Sequence, residues 1–359
     1  MIGIGNALPS LAAGPDADFA VAGNLDNIGT IAMSNRIAGD RMTVSGGTYT
    51  SSGGKLLIDT VLNQGGAASS SDMPIADSTT LGAKGPNASA RQECRRRGRG
   101  DLRQWHRGGP GHRPTHSAAG AFTLLGRVVA GPYEYKLNQG GAQSADGNWY
   151  LSSEQAPHAS GSTYATYPPD PPTPPAPPTP LYRSEVAAYL ANQHVAGQMF
   201  VRSLDDRSSG GNGAPALAPS LSVLPEDVWI RVVGSNEGTN SNSGVFGVST
   251  DSFLMQGGIE AYQARLAGSA DLLHIELLAN YTTARSDAQA AGNPASAHGD
   301  VQGYGVGAYA TWYQSEQSRL GPYADTWTEY GWFNNSVTGD ELRTVKYNAR
   351  GWAISGELG

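Results

Sequence analysis

The stretch that most limits what this chain can become is a proline run, Tyr167-Pro168-Pro169-Asp170-Pro171-Pro172-Thr173-Pro174-Pro175-Ala176-Pro177-Pro178-Thr179-Pro180. Each proline lacks an N–H and fixes φ, so neither a helix nor a central strand can form there. A stiff, solvated polyproline II spacer is expected, spanning roughly 40 Å at ~3.1 Å per residue. Directly behind it, residues Leu181 to Arg207 read as one helix. Ser184 is a good N-cap, and Glu185 sits where the macrodipole favours an anion. Val186, Tyr189, Leu190, Phe200, Val201 and Leu204 recur near helical spacing. About 23 helical residues would measure roughly 35 Å, slightly more than a bilayer core. Yet Glu185, Asn192, Gln193, His194, Gln198 and Arg202 make the segment too polar to face lipid. Alone, it fits either an ordinary amphipathic surface helix or a membrane-length helix wrapped in something polar.

The rest of the chain favours β structure. With 48 Gly, 22 Pro and only 15% charged residues among 359, the composition suits an all-β protein with many turns and two or three domains. The lone Cys94 excludes an internal disulfide. A net charge of −7 argues against nucleic acid as a general partner. No stretch of 18 apolar residues exists for a spanning helix. Met1 to Pro9 lacks a basic n-region and an apolar h-region, so the chain as it stands is read as carrying no signal peptide.

Residues 19 to 65 offer short strands at Phe19–Val21, Ile28–Met33, Arg41–Val44 and Lys55–Leu62, separated by corners such as Gly23-Asn24 and Gly46-Gly47. Brief strands at near-constant spacing suit a parallel β-helix, whose coils bury inward residues against the next coil. A β-sandwich is the competing reading. From Arg91 to His116 the character changes to Arg91, Arg95, Arg96, Arg97, Arg99, Arg103, Arg107 and Arg113, with Cys94, His106, His112 and His116 interspersed. The Cys/His spacing fits no tight zinc template, and a basic patch for nucleic acid or heparin is the physical alternative. The preferred reading is a compensated reading-frame shift, with disorder expected over 81–117.

Beyond the helix come six longer segments, opening at Val228 and ending with Tyr347–Gly359. Most reach the length of a tilted membrane strand, and several alternate. His274, Glu276 and Asn280 oppose Leu273, Ile275, Leu277, Ala279 and Tyr281, while Tyr304, Val306, Ala308, Ala310 and Trp312 oppose Gly303, Gly305, Gly307, Tyr309 and Thr311. A polar lumen and an apolar exterior would produce this pattern, as would a soluble sandwich. On the first reading His274, Glu276, Asp325 and Glu329 face the lumen. Trp229, Trp312, Tyr313, Trp332 and Phe333 then become candidates for an aromatic girdle.

Several phrases carry a family resemblance. Gly120-Ala121-Phe122-Thr123-Leu124-Leu125-Gly126-Arg127, Pro132-Tyr133-Glu134-Tyr135 and Gly147-Asn148-Trp149-Tyr150-Leu151 resemble the passenger end of pertactin-like autotransporters. Tyr182 to Gln193, Trp229 to Gly234, Gly307 to Gln314, Trp327 to Gly339 and Arg350 to Ala353 resemble the helix and early strands of their translocator. The resemblance implies an all-β protein: the end of a right-handed parallel β-helix passenger (1–157), a Pro-rich linker (158–180), a lumen helix (181–210) and an incomplete antiparallel transmembrane barrel (220–359). It implies an outer-membrane or cell-surface location, and surface display of a passenger. The partners implied are outer-membrane lipid, barrel-assembly and chaperone machinery, and an unidentified host-surface ligand. The family's barrel has twelve strands and about six are read here, so translocation by this chain is expected to be impaired. The alternative is a surface adhesin whose biology lies in the passenger.

No catalytic motif stands out: Gly-x-Ser-x-Gly, His-Glu-x-x-His and the phosphate loop are all missing. Asp325 and Glu329 are read as polar lining, not as an acid/base pair. No enzyme activity, cofactor or metal is expected.

Overall fold

The computed structural model describes residues 18–34, 38–60, 72–85, 87–93, 116–141, 144–155, 179–201, 228–266, 268, 270–315 and 321–359. It divides into two compact units, Met1–Arg183 and Ser184–Gly359.

The first unit begins with nine short strands: β1 (Asp18–Ala22), β2 (Leu25–Asn27), β3 (Thr30–Ala32), β4 (Arg41–Ser51), β5 (Lys55–Thr60), β6 (Met73–Leu81), β7 (Asn87–Glu93), β8 (His116–Ser117) and β9 (Phe122–Leu124). They form two sheets, one ordered β1-β4-β6-β8 with β2 also on β4, the other β3-β5-β7-β9. Every pairing in both is parallel. The chain therefore alternates between sheets, laying each strand on the one two or three elements earlier. Sandwiches are antiparallel, so this pairing does not suit one. Residues Leu25, Ile31, Met42, Val44, Tyr49, Leu56, Ile58 and Phe122 fill the core.

Corners are set by small residues and buried acceptors. A Cβ at Gly47 would collide with the Gly23 carbonyl, so two corners approach closely there. Asp72 is wholly buried; its Oδ1 accepts from the Gly39 and Asp40 amides at 3.0 and 3.1 Å, and its Oδ2 from the Asp59 amide at 2.6 Å. Burial pushes its carboxyl up to about 7, against the pull of those three N–H groups.

Part of the 81–117 stretch lies among the described residues. Leu81 closes β6, Asn87–Glu93 pair with both β5 and β9, and His116–Ser117 pair with β6. Backbone pairing on both sides overrides an unpromising composition. Residues 94–115, with Cys94, His106 and His112, lie outside the described residues.

An antiparallel sheet of β10 (Val128–Ala130), β11 (Tyr133–Gly141) and β12 (Ser144–Ser152) follows. Trp149 joins the parallel-sheet core edge-on to Phe122 at 5.6 Å, its Nε1 donating to Ser117 Oγ at 2.8 Å. Arg127, its side chain largely covered, donates to both oxygens of Glu134, at 3.0 and 2.7 Å. The proline run ends by pairing. Gln155 N donates to Thr179 O, Leu181 N to Ser153 O, Glu134 N to Leu181 O and Arg183 N to Pro132 O. The rest of the run lies outside the described residues.

The second unit is one helix, α1 (Glu185–Gln198), against a sheet of β13 (Val228–Asn240), β14 (Phe246–Ala264), β15 (Leu272–Ala290), β16 (Ser296–Tyr313), β17 (Tyr323–Gly339) and β18 (Val345–Leu358). These six strands pair antiparallel in sequence order. At 13 to 19 residues they exceed the about 9–11 residues that a tilted membrane strand requires. The helix is shorter than its sequence suggests. Its 14 residues give about 21 Å, because the chain tightens after Gly197: Phe200 N donates to Gly197 O and Val201 N to Gln198 O.

A sheet with two unlike faces

Side chains alternate across the six strands, and ladder register places them in rows. One face carries α1. Ala187 and Ala188 pack on Ala288, Ala297 and Val337; Val195 and Met199 pack on Ala284, Val301 and Phe333. Glycine makes room for this. A Cβ at Gly299 would stand 2.5 Å from Asn192 Oδ1, and one at Gly339 would collide with the Glu185 carboxyl. Asn192 donates from Nδ2 to Ser336 O at 3.0 Å, Asp300 O at 3.4 Å and Tyr347 Oη at 3.3 Å. Ser184 stands at the N-cap without capping through its side chain. Its hydroxyl instead donates to Ala295 O at 2.5 Å and accepts from Ala290 N at 3.0 Å, tying the helix start to the β15–β16 turn.

Below the helix this face stays polar. Gln256 Nε2 donates to Met199 O at 3.2 Å, Arg231 to Gln256 Oε1 at 3.0 Å, and Asn280 Nδ2 to Glu329. Asp325 accepts from Thr311 Oγ1 at 2.6 Å, Glu276 from Trp229 Nε1 at 3.2 Å, and His274 lies 3.3 Å from Glu260.

The opposite face is apolar over most of its height. In successive rows it shows Val232, Met255, Tyr281, Tyr304, Trp332 and Arg350; then Ile230, Gly257, Ala279, Val306, Tyr330 and Trp352; then Val228, Ile259, Leu277, Ala308, Thr328 and Ile354. Ile275 and Ala310 follow, then Leu273, Trp312, Ala324 and Leu358. Tyr281, Tyr304 and Trp332 form a chain of ring contacts across three strands, at 5.4 and 6.2 Å. From Tyr304 to Trp312 is eight residues, about 27 Å along the strand. With a membrane-strand tilt this approximates the apolar band of a barrel, about 25 Å tall. Beyond the Tyr281 row the same face turns polar, through Thr283, Gln302 and Asn334 to Asp251, Arg285, Asp300 and Lys346.

His274, Glu276, Asp325 and Glu329, expected on one face, all lie on the helix-bearing one, Asp325 and Glu329 buried. On the helix, Glu185 and Asn192 point into the sheet, whereas Gln193 and His194 are exposed. Gln198 bonds to His194 at 2.9 Å and Glu237 at 3.4 Å; Arg202 lies outside the described residues. Of the girdle candidates, Trp312 and Trp332 face outward. Trp229, Tyr313 and Phe333 do not. Trp229 Nε1 donates to Tyr309 Oη at 2.8 Å, Tyr313 packs edge-on to His274 at 6.3 Å, and Phe333 meets Phe200 at 6.0 Å, all on the helix-bearing face. Strand parity is the reason: adjacent residues such as Trp312-Tyr313 and Trp332-Phe333 cannot share a face. Tyr281 and Tyr304, absent from the girdle candidates, complete the aromatic row with Trp332; their alternation was the available signal.

Among the described residues no helix is long and apolar enough to cross a membrane, and no group of three His, Cys, Asp or Glu is placed to hold a metal ion.

Residues 228–359 match the family model for the autotransporter beta-domain. Protein YuaQ of Escherichia coli K12 is 30% identical over 94% of this chain and 23% of its own length. The autotransporter adhesin AIDA-I of Escherichia coli is 29% identical over 65% of this chain and 16% of its own. The crystal structure of the AIDA-I transport unit superposes with a TM-score of 0.42 at 28% identity, covering 49% of this chain and 53% of that one. The chain thus spans about a quarter or less of these two full-length relatives. The six-stranded antiparallel sheet, residues 228–359, is thus the part of this chain that resembles the autotransporter beta-domain family.

Proposed function

We propose that the chain is the secretion end of an autotransporter, seated in an outer membrane and displaying a passenger at the cell surface. β13–β18 form part of a transmembrane barrel, α1 occupies its lumen, and β1–β9 are the closing coils of a parallel β-helix passenger. The antiparallel sheet β10–β12 caps those coils. The reading is non-enzymatic. Outer-membrane lipid and barrel-assembly machinery are the partners it requires, and any host-surface ligand belongs to the passenger.

One observation carries this reading: the sheet buries charge on its helix-bearing face and turns a largely apolar band, bounded at one end by the Tyr281–Tyr304–Trp332 row, to the outside. In water such a band is a liability; in hydrocarbon it is what a strand needs.

Cysteines on one strand test it. In outer membranes, in a Cys94→Ser background, Val306→Cys is expected to resist a water-soluble maleimide and Ser296→Cys, at the start of the same strand, to react. Equal labelling of the two would defeat the reading.

A further inference from the structure

Two depressions follow one another on the outward face, along β14 and β15. The first is a cleft of about 650 Å3 lined by Asp251, Arg285, Asp300, Gln302, Ser336 and Lys346, just past the Tyr281–Trp332 row. The second, about 470 Å3, is apolar, lined by Ile230, Met255, Gly257, Ile259, Leu277 and Ala279. The small Gly257 and Ala279 leave it open between Ile230 and Val306. The depressions abut where Phe253 and Thr283 give way to Met255 and Tyr281.

The cleft holds cations that the protein does not use. Asp251 and Asp300 flank Arg285 in register. Asp251 already accepts from Asn236 Nδ2 at 2.5 Å, and Asp300 from Ser336 Oγ at 3.0 Å. Among the described residues the exposed Arg285 guanidinium and Lys346 ammonium make no hydrogen bond or ion pair. They stand three strands apart, about 14 Å at the usual strand spacing, with amide and hydroxyl groups of Gln302, Asn334 and Ser336 between them. An Arg that forks toward open solvent beside an apolar groove is suited to a phosphate carried on an acyl chain.

We infer that this is a binding site for one phosphorylated glycolipid of the outer leaflet. Its phosphates meet Arg285 and Lys346, its sugar hydroxyls meet the amides and carboxylates between, and one acyl chain lies over Gly257 and Ala279. The inference rests on the membrane reading above, which also sets the leaflet. Ser184 ties the start of α1 to the β15–β16 turn; on that reading this end of the sheet faces outward, and the cleft lies toward it. Sugar-binding groups between the cations favour a glycolipid over a simple phospholipid.

The test uses the protein extracted from outer membranes in mild detergent and titrated with bisphosphorylated lipid A or with phosphatidylglycerol. Lipid A is expected to bind more tightly. Arg285→Gln with Lys346→Gln should weaken it about tenfold or more, the value of a lost charge-assisted hydrogen bond. Gly257→Val should weaken it too by filling the groove. A Cβ there meets only Trp229 O at 3.4 Å and Ile230 at 3.8 Å, so the sheet accepts the change. Equal affinity for phosphatidylglycerol overturns the assignment to a glycolipid, and unaltered lipid A binding by the variants overturns the site. If Val306→Cys remains protected in those variants, only this inference falls; if it labels from water, the membrane reading falls with it.

Discussion

The two units solve opposite problems with similar residues. In the first, Val44, Tyr49 and Leu56 are buried between parallel sheets, with acidic corner residues both near the surface, as Asp26 and Asp77, and wholly buried, as Asp72. In the second, Ile354 is 80% and Trp352 74% exposed, while Glu329 of the sheet and Glu185 of the helix, on the face where the two pack, are 0% and 2% exposed. Hydrophobic burial drives the first arrangement by removing apolar area from water. In the second it acts beneath the helix, but the outward apolar residues gain nothing that way unless hydrocarbon covers them. The surrounding medium, more than the side-chain inventory, decides which way a strand turns its apolar residues.

The comparison breaks most visibly in the parallel core. Tyr49→Ala should cost about 3–5 kcal/mol by removing a large buried ring, read as a lowered denaturation midpoint of the first unit with the sheet of the second intact. Equal loss in both units would mean that they do not fold separately. A charge in the outer band comes next. Val306→Arg should cost about 2–4 kcal/mol in a bilayer, seen as a lower urea midpoint for assembled protein in outer-membrane lipid. An unchanged midpoint would put that face in water.

The smallest effect sharpens the contrast through pH. Asp72 is held near 7 when folded, against 3.8 in the reference chain. Because the folded state binds this proton more tightly, its contribution is fully present below about 3.8 and is lost as pH rises through about 7. The first unit should therefore melt lower at pH 8 than at pH 6. Asp72→Asn should flatten that slope, as thermal scans at several pH values can show.

Much of the second unit could be read in advance, because a period of two survives without tertiary context. Leu273, Ile275 and Leu277 opposite His274, Glu276 and Asn280 is a pattern that only one register allows. Which aromatics turn outward is partly legible: closeness to a strand end also selects Trp229, Tyr313 and Phe333, and only parity sorts them from Trp312 and Trp332. Helix length was not legible, since Phe200, Val201 and Leu204 continue the spacing past the point where Gly197 lets the backbone tighten. Neither was β7, whose Asn87–Glu93 gain strand geometry from neighbours on both sides. The cradle at Gly299 and Gly339 left no periodic trace; a glycine in a strand signals close approach without saying what approaches.

Ser184 has a mechanical consequence. A capping hydroxyl would have strengthened only its own helix, but this one bridges two backbone groups on either side of a neighbouring turn, accepting from Ala290 N and donating to Ala295 O. A tug arriving along the polypeptide from Arg183 meets that clasp first. The opening turn of α1 starts to unravel only once both bonds have parted, so one serine acts as a strain relief between whatever is pulled and the helix that must stay put.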